Sequence, residues 1–128
     1  MVRIFLIASA LIWLPYGVYC FFAPQALAEL AGVASSSTTG SVELRAMYGG
    51  LQAALGVFAA AALWRPALQR PALLAIAFLC AGLFTARLLG AAIEAELSSY
   101  TAVGAVFETA SFALAARLST TMPEAAPA

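Results

Sequence analysis

Four long apolar runs constrain the fold of this chain more than any other feature of its sequence. They cover residues 4–23, 43–64, 72–92 and 100–116. A helix needs roughly 20 mostly apolar residues to cross the hydrocarbon core of a bilayer, and the first three runs reach that length. The fourth run is shorter and carries Glu108 near its middle. The pattern predicts four membrane spans.

The composition supports membrane insertion and favours helices over strands. Hydrophobic residues make up 64% of the 128-residue chain and charged residues only 9%, whereas average globular domains are ~25% charged. A soluble globule of this size could not bury so much apolar surface. The runs are too long for barrel strands, are rich in the helix formers Ala and Leu, and lack sustained in-out alternation.

Prolines and polar segments separate the runs. Residues 24–33 carry apolar side chains at helical spacing, and we expect a short helix at the membrane surface there. A Ser/Thr-rich loop follows, in which Ser41 is the expected N-cap of the second long helix and Glu43 offsets the helix dipole. The sequence therefore predicts an all-α fold, a four-transmembrane-helix bundle over residues 1–118, followed by a disordered tail over 119–128.

Charge near the span ends predicts the orientation. In a four-span chain, four arginines fall on one side: Arg3, Arg65, Arg70 and Arg117. The opposite side holds three glutamates: Glu29, Glu94 and Glu96. Because cytoplasmic loops are enriched in basic residues, we expect a bacterial inner membrane protein with both termini in the cytoplasm.

A cleavable signal peptide is the alternative interpretation of the N-terminus. Arg3, the apolar run and the Ala-Leu-Ala triplet at 26–28 fit its pattern. Against it, the apolar run extends past Cys20, which is longer than a typical h-region. The run also carries Trp13 and Tyr16, which suit helix packing, and cleavage would leave only three spans.

Ionisable groups at bilayer depth predict a buried polar cluster. Glu108 lies too deep in the fourth run to reach water easily, and an unpaired buried charge is costly. Arg45 and Arg87 are the cations expected in that leaflet, and arginine favours bidentate pairing with a carboxylate. Two alternatives stay open: Arg87 extends outward to the interface, or the cluster is a structural ion-pair lock rather than a ligand site.

Helical spacing places polar and small residues together on single helix faces. The faces are Ser9, Trp13, Tyr16, Gly17 and Cys20 in the first run; Arg45, Tyr48, Gly49, Gln52 and Gly56 in the second; and Thr101, Gly104, Glu108, Ser111 and Ala115 in the fourth. Small residues permit close helix approach in lipid, and polar residues hydrogen-bond across the seam. The candidate ligand-binding residues are Trp13, Tyr16, Arg45, Tyr48, Gln52, Arg87 and Glu108.

A family resemblance rests on three parts of the sequence: Glu43–Gln52 (ELRAMYGGLQ), Arg87–Gly90 (RLLG) and Glu108. Together they resemble a family of small bacterial four-helix membrane proteins known as a domain of unknown function. The similarity covers residues 4–118, and its specific part is the E-x-R-x-x-Y-G-G pattern. The resemblance implies a four-helix membrane fold, broadly similar to DoxX-like proteins, and implies no reaction or substrate.

Residue types exclude several kinds of chemistry. The sequence contains no His, Lys, Asp or Asn, which excludes His-based catalysis and His metal ligation, and we expect no metal or other cofactor. A net charge of zero gives no electrostatic footprint for nucleic acid. Cys20 and Cys80 lie inside apolar runs and are expected to be buried free thiols.

Three functions remain open from the sequence. The first, which the sequence favours, is a non-enzymatic module that binds membrane lipid, a quinone or another lipophilic ligand, or that is an accessory subunit of a larger membrane complex. The second is a small membrane enzyme (an isomerase, a cyclase or an epoxide-opening enzyme) with Glu108 or Glu43 as acid or base and Arg45 or Arg87 stabilising negative charge. The third is a small-solute or proton transporter, which at this chain length requires a homo-oligomer.

Overall fold

The computed structural model describes residues 1–122, and within them every regular element is helical. The elements are α1 (Val2–Phe22), α2 (Ala26–Ala31), α3 (Thr38–Leu44), a π-helical segment (Arg45–Gly50), α4 (Leu51–Trp64), a 3-10 turn (Pro66–Leu68), α5 (Gln69–Glu94) and α6 (Ser99–Thr120). The predicted all-α fold is confirmed, including the short helix between the first two spans, which is α2.

Four helical runs in the described part of the chain are long and apolar enough to cross a membrane: Val2–Phe22, Thr38–Trp64, Pro66–Glu94 and Ser99–Thr120. Many large apolar side chains on them face outward, at 71–81% exposure for Ile4, Phe78, Ile93 and Val106. So much exposed apolar surface suits lipid rather than water. The fold indicates a multi-pass membrane protein.

The helices extend beyond the predicted spans. The second run begins at Thr38, because Ser37 supplies an N-cap: its Oγ accepts a hydrogen bond from the Gly40 N–H at 3.0 Å. The predicted N-cap at Ser41 is therefore wrong, and Glu43 lies in the second helical turn instead of the first. At the other end of the chain α6 continues to Thr120, and residues 123–128 of the predicted tail lie outside the described residues.

The N-terminal half, residues 2–66, contains α1 and α4 packed closely at glycines. A Cβ at Gly49 would lie 2.8 Å from the Phe21 Cα, one at Gly17 would lie 2.7 Å from the Gly49 carbonyl oxygen, and one at Gly56 would lie 2.6 Å from the Leu14 Cβ. Earlier residues of α1 contact later residues of the partner helix, so the two helices are antiparallel. The small-residue seam predicted for these two helices is confirmed.

The C-terminal half, which begins at residue 67, is a hairpin of α5 and α6 joined by residues 95–98. Ala95 ends α5 in the left-handed conformation, with φ 52°. Ser98 begins α6 as its N-cap, and its Oγ accepts a hydrogen bond from the Thr101 N–H at 3.1 Å. The turn thus satisfies backbone groups at both helix ends and fixes which faces of α5 and α6 meet.

Candidate functional site

An ion pair joins α5 to α6 inside the C-terminal half. Glu108 is only 3% exposed, and the Arg87 guanidinium reaches its carboxylate with three hydrogen bonds. Nη2 donates to Oε1 at 2.6 Å, and Nε donates to Oε2 at 3.0 Å and to Oε1 at 3.2 Å. This fork of donors on a carboxylate is the strong bidentate arrangement. The predicted pairing of Glu108 with an arginine is confirmed, and the arginine is Arg87.

Gly104 and Tyr100 seat the guanidinium against α6. A Cβ at Gly104 would lie 2.9 Å from the Arg87 Cζ, so the guanidinium rests on bare helix backbone one turn before Glu108. One turn earlier again, the Tyr100 ring centroid lies 5.9 Å from the same Cζ, which is within cation–π range. The spacing of four residues keeps these α6 positions on one face. They form a continuous seat for one arginine.

The same half also contains a cysteine, Cys80, on α5. Cys80 is fully buried and is a free thiol, as is the buried Cys20. Among residues 1–122, no three His, Cys, Asp or Glu side chains come together to hold a metal ion.

An open recess of about 310 Å³ borders Arg87 at the turn end of the hairpin; we call it the turn recess. Its lining is Arg87, Gly90, Ala91, Glu94, Glu96, Ser98 and Thr101. Gly90 leaves open space, because nothing lies within 4 Å of the position its Cβ would take. The Ser98 and Thr101 hydroxyls bond each other at 2.9 Å, whereas Glu94 and Glu96 are exposed. The recess thus has an acidic rim and touches a guanidinium whose charge Glu108 balances.

Arg45 makes its contacts in the N-terminal half. Its Nη1 donates a hydrogen bond to the Phe21 carbonyl oxygen, and its Cζ lies 5.9 Å from the Phe21 ring centroid. Phe21 lies in the last turn of α1, where carbonyl groups lack helical partners and a cation balances the helix dipole. The structure therefore gives Arg45 a capping role that the sequence did not predict. A joint cluster of Arg45 with Arg87 and Glu108 stays a prediction.

The other predicted site residues also belong to the N-terminal half and differ in exposure. Trp13 and Gln52 are buried, and Tyr16 and Tyr48 are half-buried. The Gln52 Oε1 is enclosed and has no hydrogen-bond partner within the part of the chain that the structure describes. A buried amide oxygen without a donor costs free energy, so Gln52 marks a position where an additional polar group would stabilise the protein. Glu43 is exposed.

The π-helical segment is the main feature that sequence reasoning missed. It covers Arg45–Gly50, the last six positions of the E-x-R-x-x-Y-G-G pattern, and the Leu51 N–H bonds to the Ala46 carbonyl five positions back. The turn is wider than an α-helical turn, yet Gly49 within it and Gly56 beyond it both contact α1. Short π-helical segments are frequent at functional sites. The feature of the sequence that could have indicated this irregularity is the pair of adjacent weak helix formers, Gly49 and Gly50.

Comparison with known proteins identifies a family for this chain. Residues 1–118 match the sequence model of a family described as Domain of unknown function (DUF4345). No curated protein and no solved structure matches the chain. The family description names no reaction, ligand or partner.

Proposed function

This chain belongs to the family described as Domain of unknown function (DUF4345), and from that premise we propose that it is a membrane-embedded module that binds a lipophilic molecule by its polar head. The observation that carries the proposal is the turn recess beside the Arg87–Glu108 pair. A pair serving only to lock two helices needs no adjoining space. An open recess of about 310 Å³ next to it supplies room for part of a ligand.

The charges around the turn recess restrict the head group. Arg87 is balanced by Glu108, whereas Glu94 and Glu96 on the rim have no salt-bridge partner among the described residues. An anionic head would meet uncompensated like charge, which is unfavourable. The recess therefore suits an uncharged or cationic polar head, while the rest of the molecule stays in lipid.

The same geometry favours binding over catalysis. Three hydrogen bonds from one guanidinium occupy both oxygens of Glu108, so neither oxygen is free to contact a substrate. Glu43, the other candidate acid or base, is exposed near the start of the second helical run. We therefore assign Glu108 to holding Arg87 in place.

The candidate ligand-binding residues of the sequence analysis remain part of the proposal. Those of the C-terminal half are Arg87 and Glu108; those of the N-terminal half are Trp13, Tyr16, Arg45, Tyr48 and Gln52. The enclosed Gln52 Oε1 supports a polar ligand group in the N-terminal half. We further propose that the protein lies in a bacterial inner membrane with both termini in the cytoplasm, and that its helices have a DoxX-like arrangement. A larger membrane complex is the alternative setting for the module.

The test is to extract the protein in mild detergent and to identify bound small molecules by mass spectrometry. Gly90→Leu fills the turn recess, whereas Gly82→Leu places the same side chain elsewhere on α5; neither position has an atom within 4 Å of the added Cβ. We expect the wild type and Gly82→Leu to retain a bound molecule and Gly90→Leu to lose it.

Two results would contradict the proposal. One is a folded wild-type protein that carries no small molecule from native membranes. The other is equal retention of the same molecule by Gly90→Leu and Gly82→Leu, which would place binding outside the turn recess.

A further inference from the structure

A second recess lies in the N-terminal half and is separate from the proposed ligand site. It has a volume of about 450 Å³ and is lined by Leu14 of α1 and by Val57, Ala60, Ala61, Trp64 and Arg65 at the end of α4. The α4 residues up to Trp64 follow the spacing i, i+3, i+4 and i+7, so they share one face of the helix. We call this recess the α4 groove.

The groove results from small residues placed between large ones. At Gly56 the backbone of α4 comes so close to Leu14 that a Cβ would clash with it. Beyond that contact, Ala60 and Ala61 add little bulk, whereas Val57 and Trp64 stand on either side of them along the helix. The result is an elongated apolar hollow on a helix that is long and apolar enough to cross a membrane.

One end of the groove differs chemically from the rest. Trp64 is 77% exposed, and the next residue, Arg65, is an exposed guanidinium that follows the last turn of α4. Tryptophan and arginine at the end of a membrane helix are typical of the headgroup layer. The chain carries no acidic residue between Glu43 and Glu94, so no carboxylate close in sequence neutralises Arg65.

From this combination we infer that the α4 groove is a binding site for an anionic phospholipid. One acyl chain lies along Ala60 and Ala61, and the phosphate meets the Arg65 guanidinium, with the Trp64 indole beside it at the headgroup level. The apolar hollow selects the chain, and the arginine selects negative over zwitterionic headgroups. The site is distinct from the turn recess, whose acidic rim disfavours an anion.

Native mass spectrometry of the purified protein tests the inference. The probes are phosphatidylglycerol and phosphatidylcholine with identical acyl chains, and we expect phosphatidylglycerol to bind about fivefold more tightly, the contribution of one surface arginine. Arg65→Gln should remove that preference. Arg117→Gln, which removes an exposed arginine from the last turn of α6, should keep it.

A second pair of variants tests the acyl-chain part of the groove. Ala61→Phe fills the hollow and should weaken binding of both lipids about tenfold, by filling the space that one chain occupies. Ala54→Phe adds the same ring at an exposed position of α4 outside the groove and should have no effect. If Ala61→Phe lowers the unfolding midpoint, the smaller change Ala60→Val replaces it, with a weaker loss of the same sign.

Excess inorganic phosphate should leave lipid binding unchanged, because the chain and the headgroup act together. Competition by free phosphate would show that Arg65 binds soluble anions instead of a lipid headgroup. Equal affinity for the two lipids, or full retention of phosphatidylglycerol by both Arg65→Gln and Ala61→Phe, overturns the inference. Neither result bears on Gly90→Leu, so this test fails or succeeds independently of the proposed ligand site.

Discussion

A single carboxylate in an apolar helix determines the chemistry of the residues around it. Glu108 is buried and requires a counter-charge, Arg87 supplies it from α5, and Gly104 keeps the path between them open. Desolvating two charges is costly, and geometry must be good for the attraction to offset it. The three hydrogen bonds and the glycine seat provide that geometry.

Replacing Glu108 with Gln should destabilise the C-terminal half. The change leaves the Arg87 guanidinium without its counter-charge, and breaking one side of a buried pair costs about 3 kcal/mol in the free energy of unfolding. Denaturation of the detergent-solubilised protein, followed by circular dichroism, measures the loss. The double variant Arg87→Leu with Glu108→Leu should recover most of it, because no unpaired charge remains. Equal destabilisation by the single and double variants would show that the pair is not the relevant interaction.

At the scale of helices, each half depends on close contact of antiparallel partners. In the N-terminal half α1 and α4 meet where glycines remove side chains, and in the C-terminal half a short capped turn sets α5 against α6. Lipid offers no hydrophobic driving force between helices, so close packing and polar contacts are what hold them together.

Replacement by alanine should have opposite effects on stability at two glycines that both lie inside helices. Gly56→Ala places a Cβ against the backbone of Leu14 and should lower the free energy of unfolding by about 2 kcal/mol through overpacking. Gly82→Ala on α5 meets nothing within 4 Å and should raise it by about 0.5–1 kcal/mol, because alanine is the better helix former. Thermal unfolding of the two variants beside the wild type measures both effects. A stabilising Gly56→Ala would contradict the close approach of α1 and α4.

The helices and the pairing of Glu108 with an arginine were predictable, because length, hydropathy and the cost of a buried charge each leave few options; the sequence left open whether Arg45 or Arg87 is the partner. Other features of the fold could not be predicted, because the sequence allows more than one local structure. Ser37 and Ser41 are both good N-caps, and only the packed chain selects the first. No clear sequence pattern predicts the π-helical segment. The capping of α1 by Arg45 depends on a tertiary contact with Phe21.

At the scale of the whole molecule, the proposed orientation in the membrane rests on four crossings and on the distribution of arginines. Arg3, Arg65, Arg70 and Arg117 all lie near helix ends that an even number of crossings assigns to one side. Basic residues near span ends are retained in the cytoplasm. In the proposed topology, the two glutamates of the turn recess lie on the opposite side.

A fluorescent-protein fusion at the C-terminus should therefore fluoresce, and an alkaline phosphatase fusion at the same place should be inactive. Alkaline phosphatase inserted after Leu97, in the turn between α5 and α6, should be active. Replacing both Arg65 and Arg70 with Gln should lower the difference between the sites, since the charge that fixes orientation is reduced. An active phosphatase at the C-terminus would reverse the proposed topology.

The short separation between the two members of the ion pair has a consequence for biogenesis. Arg87 and Glu108 are 21 positions apart and belong to helices joined by a single tight turn. A ribosome releases both within the same interval of synthesis, so the translocon can pass the hairpin to lipid as one electrically neutral unit. An ion pair formed at that stage would spare either charge from entering the bilayer alone.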